Sequence, residues 1–215
     1  GGDAEGGAEV FKVEYFKDGT AYLATSPQLY KQIMVGAFER VFSLATAFRA
    51  EKSATSRHLS EYTSLDMEMG FITDHTDIMR IETGLMKYIA DHIKEHHQAE
   101  LDILGVEAPL IPDGDIFPHM KLREAQELIK EKTGADKVGE PDLEPEDERW
   151  LCEYAKTELG SDFIFITHYP VSKRPFYTME DSEDQGNTKS FDLLFRGVEI
   201  TTCLLYTSDA ADEED

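Results

Sequence analysis

Two stretches of this sequence place charged side chains where they could act together on one ligand. Along residues 41–51 the side chains alternate. Phe42, Leu44, Phe48 and Ala50 fall on one face, and Ser43, Ala45, Ala47, Arg49 and Glu51 fall on the other. The run at 62–72 repeats the pattern, with Leu65, Met67, Met69 and Phe71 apolar and Tyr62, Ser64, Asp66, Glu68 and Gly70 opposite. The polar loop from Lys52 to Glu61 carries Arg57 and His58. A face of small residues ending in a charge pair leaves room for a ligand lying on a sheet. An arginine there, with a second on the loop, suits a polyphosphate, because guanidinium forks match phosphate oxygens. The expected arrangement sets Arg49, Glu51, Asp66 and Glu68 on an open face above an apolar floor. By alternation alone, the commoner meaning of the pattern is a half-exposed hairpin whose charges face water.

The second stretch runs from Ser190 to Thr202. Read as one strand, it sends Asp192 and Glu199 to opposite faces. Read as a hairpin turning at Arg196-Gly197, it pairs Leu194 with Glu199 and Asp192 with Thr201, and both carboxylates share a face. Two carboxylates beside a triphosphate are what Mg²⁺ bridging requires, since the ion prefers oxygen ligands and completes its shell with phosphate and water. An edge hairpin with exposed acids is the plainer alternative.

The elements that must position these residues are interleaved helices and strands. Residues 10–24 read as two strands around Lys17-Asp18-Gly19. A helix is expected from Pro27 to Glu39 with Ser26 as N-cap. Helical spacing over 75–101 lines up Ile78, Ile81, Leu85, Tyr88, Ile89 and Ile93. Further helices are predicted at 120–133 and 145–159, and strands at 163–169 and 176–179. Helices among strands joined by tight turns predict an α+β fold with a mainly antiparallel sheet.

Composition narrows the function classes. With 21 basic and 44 acidic side chains the formal net charge is −23, so the overall field opposes nucleic acid binding, and a nucleic acid partner would need a basic module elsewhere or local basic groups in a cleft. No apolar run is long enough to cross a bilayer. Cys152 and Cys203 make neither a metal-like spacing nor a disulfide framework, and a reduced cytosolic setting is the plain reading. The chain opens Gly1-Gly2-Asp3-Ala4-Glu5 without Met, a basic segment or an apolar leader, which points to an N-terminus upstream. His92, His96 and His97 read as a solvated helix end.

Phe48-Arg49-Ala50-Glu51, then Thr55, Arg57-His58-Leu59, Glu61 and the Asp66/Glu68 pair resemble motif 2 of class II aminoacyl-tRNA synthetases of the aspartyl, asparaginyl and lysyl subgroup. The resemblance implies a class II synthetase-type antiparallel sheet flanked by helices, incomplete in this chain. It implies that Arg49 grips the α-phosphate of ATP and the substrate carboxylate. Glu51 would contact the adenine side, and Arg57, His58 and Leu59 would cover the nucleotide and the tRNA acceptor end. Ser26-Pro27-Gln28-Leu29-Tyr30-Lys31-Gln32 resembles the segment in which Gln28 and Lys31 hold the amino acid, and Glu5-Gly6-Gly7 the mobile loop whose glutamate reaches its ammonium. The block 190–202 resembles the segment in which Glu199 binds ATP and its metal together with Asp192, and Thr202 lies near both metal and aspartate. The stretch His168-Tyr169-Pro170 with Lys173, Arg174, Pro175, Phe176 and Tyr177 is assigned packing and positioning.

What the resemblance implies is an aspartate–tRNA ligase: ATP and Mg²⁺, L-aspartate, tRNA(Asp) with tRNA(Asn) as a second acceptor in the archaeal-type branch, a cytoplasmic homodimer, and no membrane. Asparaginyl-tRNA synthetase and a tRNA-independent paralogue such as asparagine synthetase are the alternatives. The resemblance covers residues 5–202, a partial catalytic domain with motif 2 at about 41–72 and a helical insertion at about 75–160. The anticodon-binding barrel, motif 1 and motif 3 are not in it, so the chain alone is expected to be inactive. Residues 203–215, from Cys203-Leu204-Leu205-Tyr206 onward, resemble a translated sequencing-library adapter rather than the family's continuation.

Overall fold

The structure, a computed structural model, describes residues 9–16, 19–50 and 59–207. Glu5, Glu51, Arg57 and His58 lie outside the described residues. The chain divides into two compact units, Gly1–Ile72 and Thr73–Asp215.

In the first unit, β1 (Lys12–Tyr15) and β2 (Gly19–Tyr22) form an antiparallel pair. Helix α1 (Gln28–Phe38) follows, then the antiparallel pair β3 (Arg40–Phe48) and β4 (Glu61–Met69). Helix α1 starts where Ser26 can accept a hydrogen bond from the Gln28 N–H at 3.2 Å, one residue later than the expected start. The end of β3 is tied to the first hairpin through Phe48 N–H to Ala24 O and Ala50 N–H to Glu9 O, both at 2.9 Å.

The register of β3 and β4 bears out the alternation, pairing Ser43 with Asp66, Val41 with Glu68 and Leu44 with Leu65. The burial is the reverse of the expectation. Phe42 is 77% exposed and Leu44 69%, and Leu65, Met67 and Phe71 are exposed too, so within the described residues the apolar face is bare. The small-residue face is the covered one. Ser43, Ala45 and Ala47 carry little bulk, so α1 packs there, with Val35 against Gly70 and Lys31 reaching Asp66 and Glu68.

The second unit holds α2 (His75–His96), α3 (Gln98–Leu104), β5 (His119–Lys121), α4 (Leu122–Thr133), α5 (Pro145–Leu159), β6 (Phe163–Thr167), β7 (Ser190–Phe195) and β8 (Val198–Leu204). Its sheet runs β5-β6-β7-β8, parallel between β5 and β6 and antiparallel elsewhere. Every residue of β6 is buried, which explains its nearly uninterrupted apolar run. On one face Ile164, Ile166 and Leu194 pack with Leu122, Ala125 and Ile129 of α4 and Leu151, Cys152 and Ala155 of α5. On the other, Phe163, Phe165, Phe191 and Leu193 pack with Met79 of α2 and with Phe117. The architecture is α+β.

Two expected elements differ. The helix over 75–101 breaks at His97, whose φ of −130° leaves helical space after the apolar stripe has ended at Ile93. The buried line of α2 is His75, Met79, Glu82, Thr83 and Ala90, not the stripe through Tyr88. Polar groups with partners occupy the inward side and so disguise it. The strand expected at 176–179 is reduced to an isolated bridge at Thr178, because Thr178 N–H turns back to Pro175 O at 3.0 Å.

Phe165 is fully buried between the rings of Phe117 and Phe191. Its replacement by alanine should cost about 3–5 kcal/mol, read as a fall in the urea midpoint with little change in slope.

Candidate active site

In the first unit, the covered face of β3 and β4 gathers charge. Lys31, in the first turns of α1, is nearly buried. Its Nζ lies 3.5 Å from Asp66 Oδ1 and 3.7 Å from Glu68 Oε2. Alternation along β4 aims both acids at the same helix, and the small residues of β3 leave the space. The second oxygen of Asp66, Oδ2, is buried without a hydrogen-bond partner. One strand end away, Arg49 lies 5.5 Å from the Tyr62 ring, and its buried Nε also has no hydrogen-bond partner. Unpartnered buried polar atoms are costly, on the order of 1–3 kcal/mol each. An arginine donor and a carboxylate acceptor both left open on one hairpin suit a small zwitterionic or phosphate-bearing ligand. Gln28 is half-buried at the start of α1, and Leu59 is exposed at the edge of the loop.

In the second unit, the Ser190–Thr202 block is a hairpin, as the second of the two sequence readings has it. Arg196 and Gly197 form the turn with φ of 48° and 88°. Arg196 is held there by Asp162, which accepts from its Nη2 at 2.8 Å and its Nε at 3.1 Å. The pairing differs from the expectation in one respect. Leu194 faces Glu199, but Asp192 faces Thr202 rather than Thr201, because the register shifts between Leu193 and Leu194. Ile200 is the extra residue of the resulting bulge. The shift keeps Asp192, Glu199 and Thr202 on one face. It turns Thr201 to the other side, where its hydroxyl hydrogen-bonds the Glu82 carboxyl of α2.

Asp192 is not a bare acid. Arg174 donates to it from Nη2 at 2.7 Å, to Thr202 Oγ1 from Nη1 at 3.0 Å, and to Ser190 Oγ from Nε at 3.1 Å. The same guanidinium lies 4.2 Å from the Tyr169 ring. Burial, and then the Asp192 charge, push the Tyr169 phenol well above its ordinary range, and its hydroxyl hydrogen-bonds Asp192. Glu199 is exposed. Two carboxylates and a hydroxyl form an all-oxygen donor set that fits a hard divalent ion. Among the described residues no three His, Cys, Asp or Glu side chains cluster as a metal cage. Such an ion would therefore draw most of its ligands from phosphate and water.

The structure thus brings Lys31 together with Asp66 and Glu68, and Asp192 with Thr202. Sequence reading missed Glu82 because it sits in a helix whose inward side is partly polar. It gave Arg174 packing and positioning without a partner, because nothing local marks the three it has.

Residues 2–214 match the family model of tRNA synthetases class II (D, K and N), and the chain belongs to this family. It is 51% identical over 204 residues to an aspartate–tRNA(Asp/Asn) ligase of Deinococcus radiodurans, covering 93% of this chain and 46% of that protein. An aspartate–tRNA(Asp/Asn) ligase of Thermus thermophilus is 52% identical with the same coverage. Among solved structures, asparaginyl-tRNA synthetase from Pyrococcus horikoshii complexed with asparaginyl-adenylate matches with a TM-score of 0.79 at 32% identity, covering 92% of this chain and 44% of that one. Aspartyl-tRNA synthetase from Entamoeba histolytica matches with a TM-score of 0.76 at 34% identity, covering 84% and 38%. The chain spans a little under half the length of these curated relatives.

Burial raises the Glu82 carboxyl from 4.5 to about 7; the Thr201 bond opposes this and the Asp192 charge adds to it. An acid whose folded value is raised holds its proton longer in the folded state, so its contribution is complete below about 4.5 and is lost as the pH rises to about 7. The loss is on the order of 3 kcal/mol. Glu82→Gln should therefore flatten the decline of thermal midpoint between pH 4.5 and 7, and a curve parallel to that of the unaltered protein would refute this.

Proposed function

We propose that this chain is part of the catalytic domain of an aspartate–tRNA ligase. In the full protein, the aspartate α-carboxylate would attack the α-phosphorus of ATP in line, releasing pyrophosphate. The resulting aspartyl-adenylate would then lose AMP as a hydroxyl of the tRNA 3′ end takes the aspartyl group. The observation that carries the reading is the polar face of the β3–β4 hairpin, where Lys31, a free Asp66 oxygen and an unpartnered Arg49 donor lie on adjoining elements.

Each group has a chemical part in this reading. Arg49 neutralises charge on the α-phosphate and the attacking carboxylate, a stabilisation that grows as the pentacoordinate phosphorus forms. Lys31 with Gln28 orients the amino acid, Lys31 meeting its side-chain carboxylate. Glu5 and the open Asp66 oxygen take its ammonium. Glu51, Arg57, His58 and Leu59 enclose the nucleotide. His58 need not act as a base, since the carboxylate nucleophile is already ionised and positioning supplies the rate. Glu199, Asp192 and Thr202 would hold Mg²⁺, which when bound neutralises charge on the ATP phosphates.

Aspartate is favoured over asparagine because the relatives near 50% identity are named aspartate–tRNA(Asp/Asn) ligases, and because a lysine distinguishes a carboxylate from an amide by a full charge. Those names also support tRNA(Asn) beside tRNA(Asp) as acceptor. A cytoplasmic setting draws support from the human relative, named aspartate–tRNA ligase, cytoplasmic, at 40% identity. Among the described residues no helix is long and apolar enough to cross a membrane. A homodimer follows from the family resemblance.

In the full-length protein, aspartate should drive exchange of pyrophosphate into ATP. Arg49→Lys should lower kcat/KM for that exchange by about 10²–10³, the range for loss of one donor to a developing anion. Lys31→Met should raise the aspartate KM and narrow the preference over asparagine. Exchange with asparagine and none with aspartate would sink the aspartyl reading.

A further inference from the structure

Arg174 follows a single 3-10 turn, Val171–Lys173, in a stretch with no helix or strand to recommend it. Yet its guanidinium reaches three side chains on two strands: Ser190 and Asp192 of β7 and Thr202 of β8. The side chain is 14% exposed and its Asp192 partner 7%. This contact lies beside the bulge, where the main-chain ladder between β7 and β8 is interrupted. A bulge weakens the register that main-chain bonds would otherwise impose. A rigid planar fork spanning both strands replaces that constraint, and the Tyr169 ring at 4.2 Å holds the plane of the fork.

We propose that Arg174 is a positioning residue for the nucleotide and metal site, setting the separation and orientation at which Asp192 and Thr202 meet Mg²⁺ and ATP. The inference rests on the reading of this hairpin as the ATP side of a synthetase. It goes beyond that reading in assigning the geometry to a residue that itself touches neither ion nor nucleotide. Arg174 also supplies the positive partner that a buried carboxylate needs. A lysine could keep the charge but reach one of the three acceptors at a time.

The test uses the full-length enzyme and titrates Mg²⁺ against ATP binding by calorimetry, with the thermal midpoint recorded for each variant. Arg174→Lys should raise the Mg²⁺ concentration for half-maximal ATP binding by about 10- to 100-fold, the range for groups that orient metal ligands. Ser190→Ala, which removes the Nε acceptor along with the hydrogen bond to Thr188 Oγ1 and leaves Asp192 and Thr202 in place, should raise it by about two- to tenfold. In both, excess Mg²⁺ should restore exchange activity, which a merely structural defect would not allow. An unchanged Mg²⁺ requirement in Arg174→Lys overturns the inference while leaving the synthetase reading intact. If that variant does not fold, Ser190→Ala decides alone, and an unchanged requirement there overturns the inference. An unaltered enzyme with no Mg²⁺-dependent ATP binding overturns the reading and the inference with it.

Discussion

A carboxylate removed from water must find a positive or hydrogen-bonding partner, and that requirement organises the second unit of this chain around Asp192. Arg174 meets it with one arm and uses the other two to tie Ser190 and Thr202. Tyr169 fills the space beneath the guanidinium and adds a hydroxyl. The bulge that puts Thr202 opposite Asp192 turns Thr201 the other way, onto Glu82. Moving Asp192 would therefore disturb two strands, a helix contact and the loop after β6 together.

The first unit obeys the same rule with the opposite sign. There the buried charge is a lysine, held between two acids that alternation along β4 directs to one side. One oxygen of Asp66 is left without a hydrogen-bond partner, and past the end of β3 the Arg49 Nε is left without one too. An open arginine donor is what lets a chain of net charge −23 meet a phosphate locally. The overall field steers what approaches from a distance, whereas a cleft a few ångströms wide is governed by its nearest groups.

Much of this was legible in the residues. The parity of β3 and β4, the turn at Arg196-Gly197 and the helix after Pro145 follow from period-2 alternation, from glycine at positive φ and from proline at a helix start. Which face of the β3–β4 hairpin is covered did not follow, because alternation gives two faces but not what packs on them. Here α1 found the small residues and left Phe42 and Leu44 bare. The inward side of α2 was hidden for a related reason. Glu82 and Thr83 are buried with partners far along the chain, Thr201 and the Phe117 N–H, which no window of neighbouring residues can display. A positioning part for the stretch around Arg174 was legible, but its three partners were not, since they lie beyond any local pattern.

The single extra residue at Ile200 also bears on how such sequences are compared with one another. Thr201 and Thr202 are chemically identical neighbours, yet one is bonded to a buried acid of α2 and the other to the arginine that holds Asp192. An alignment that slides by one position across this hairpin would still match one threonine with the other and would give it the wrong role. Any correspondence drawn through this segment has to be anchored on Asp192 and Glu199, on either side of the turn, before the threonines are counted.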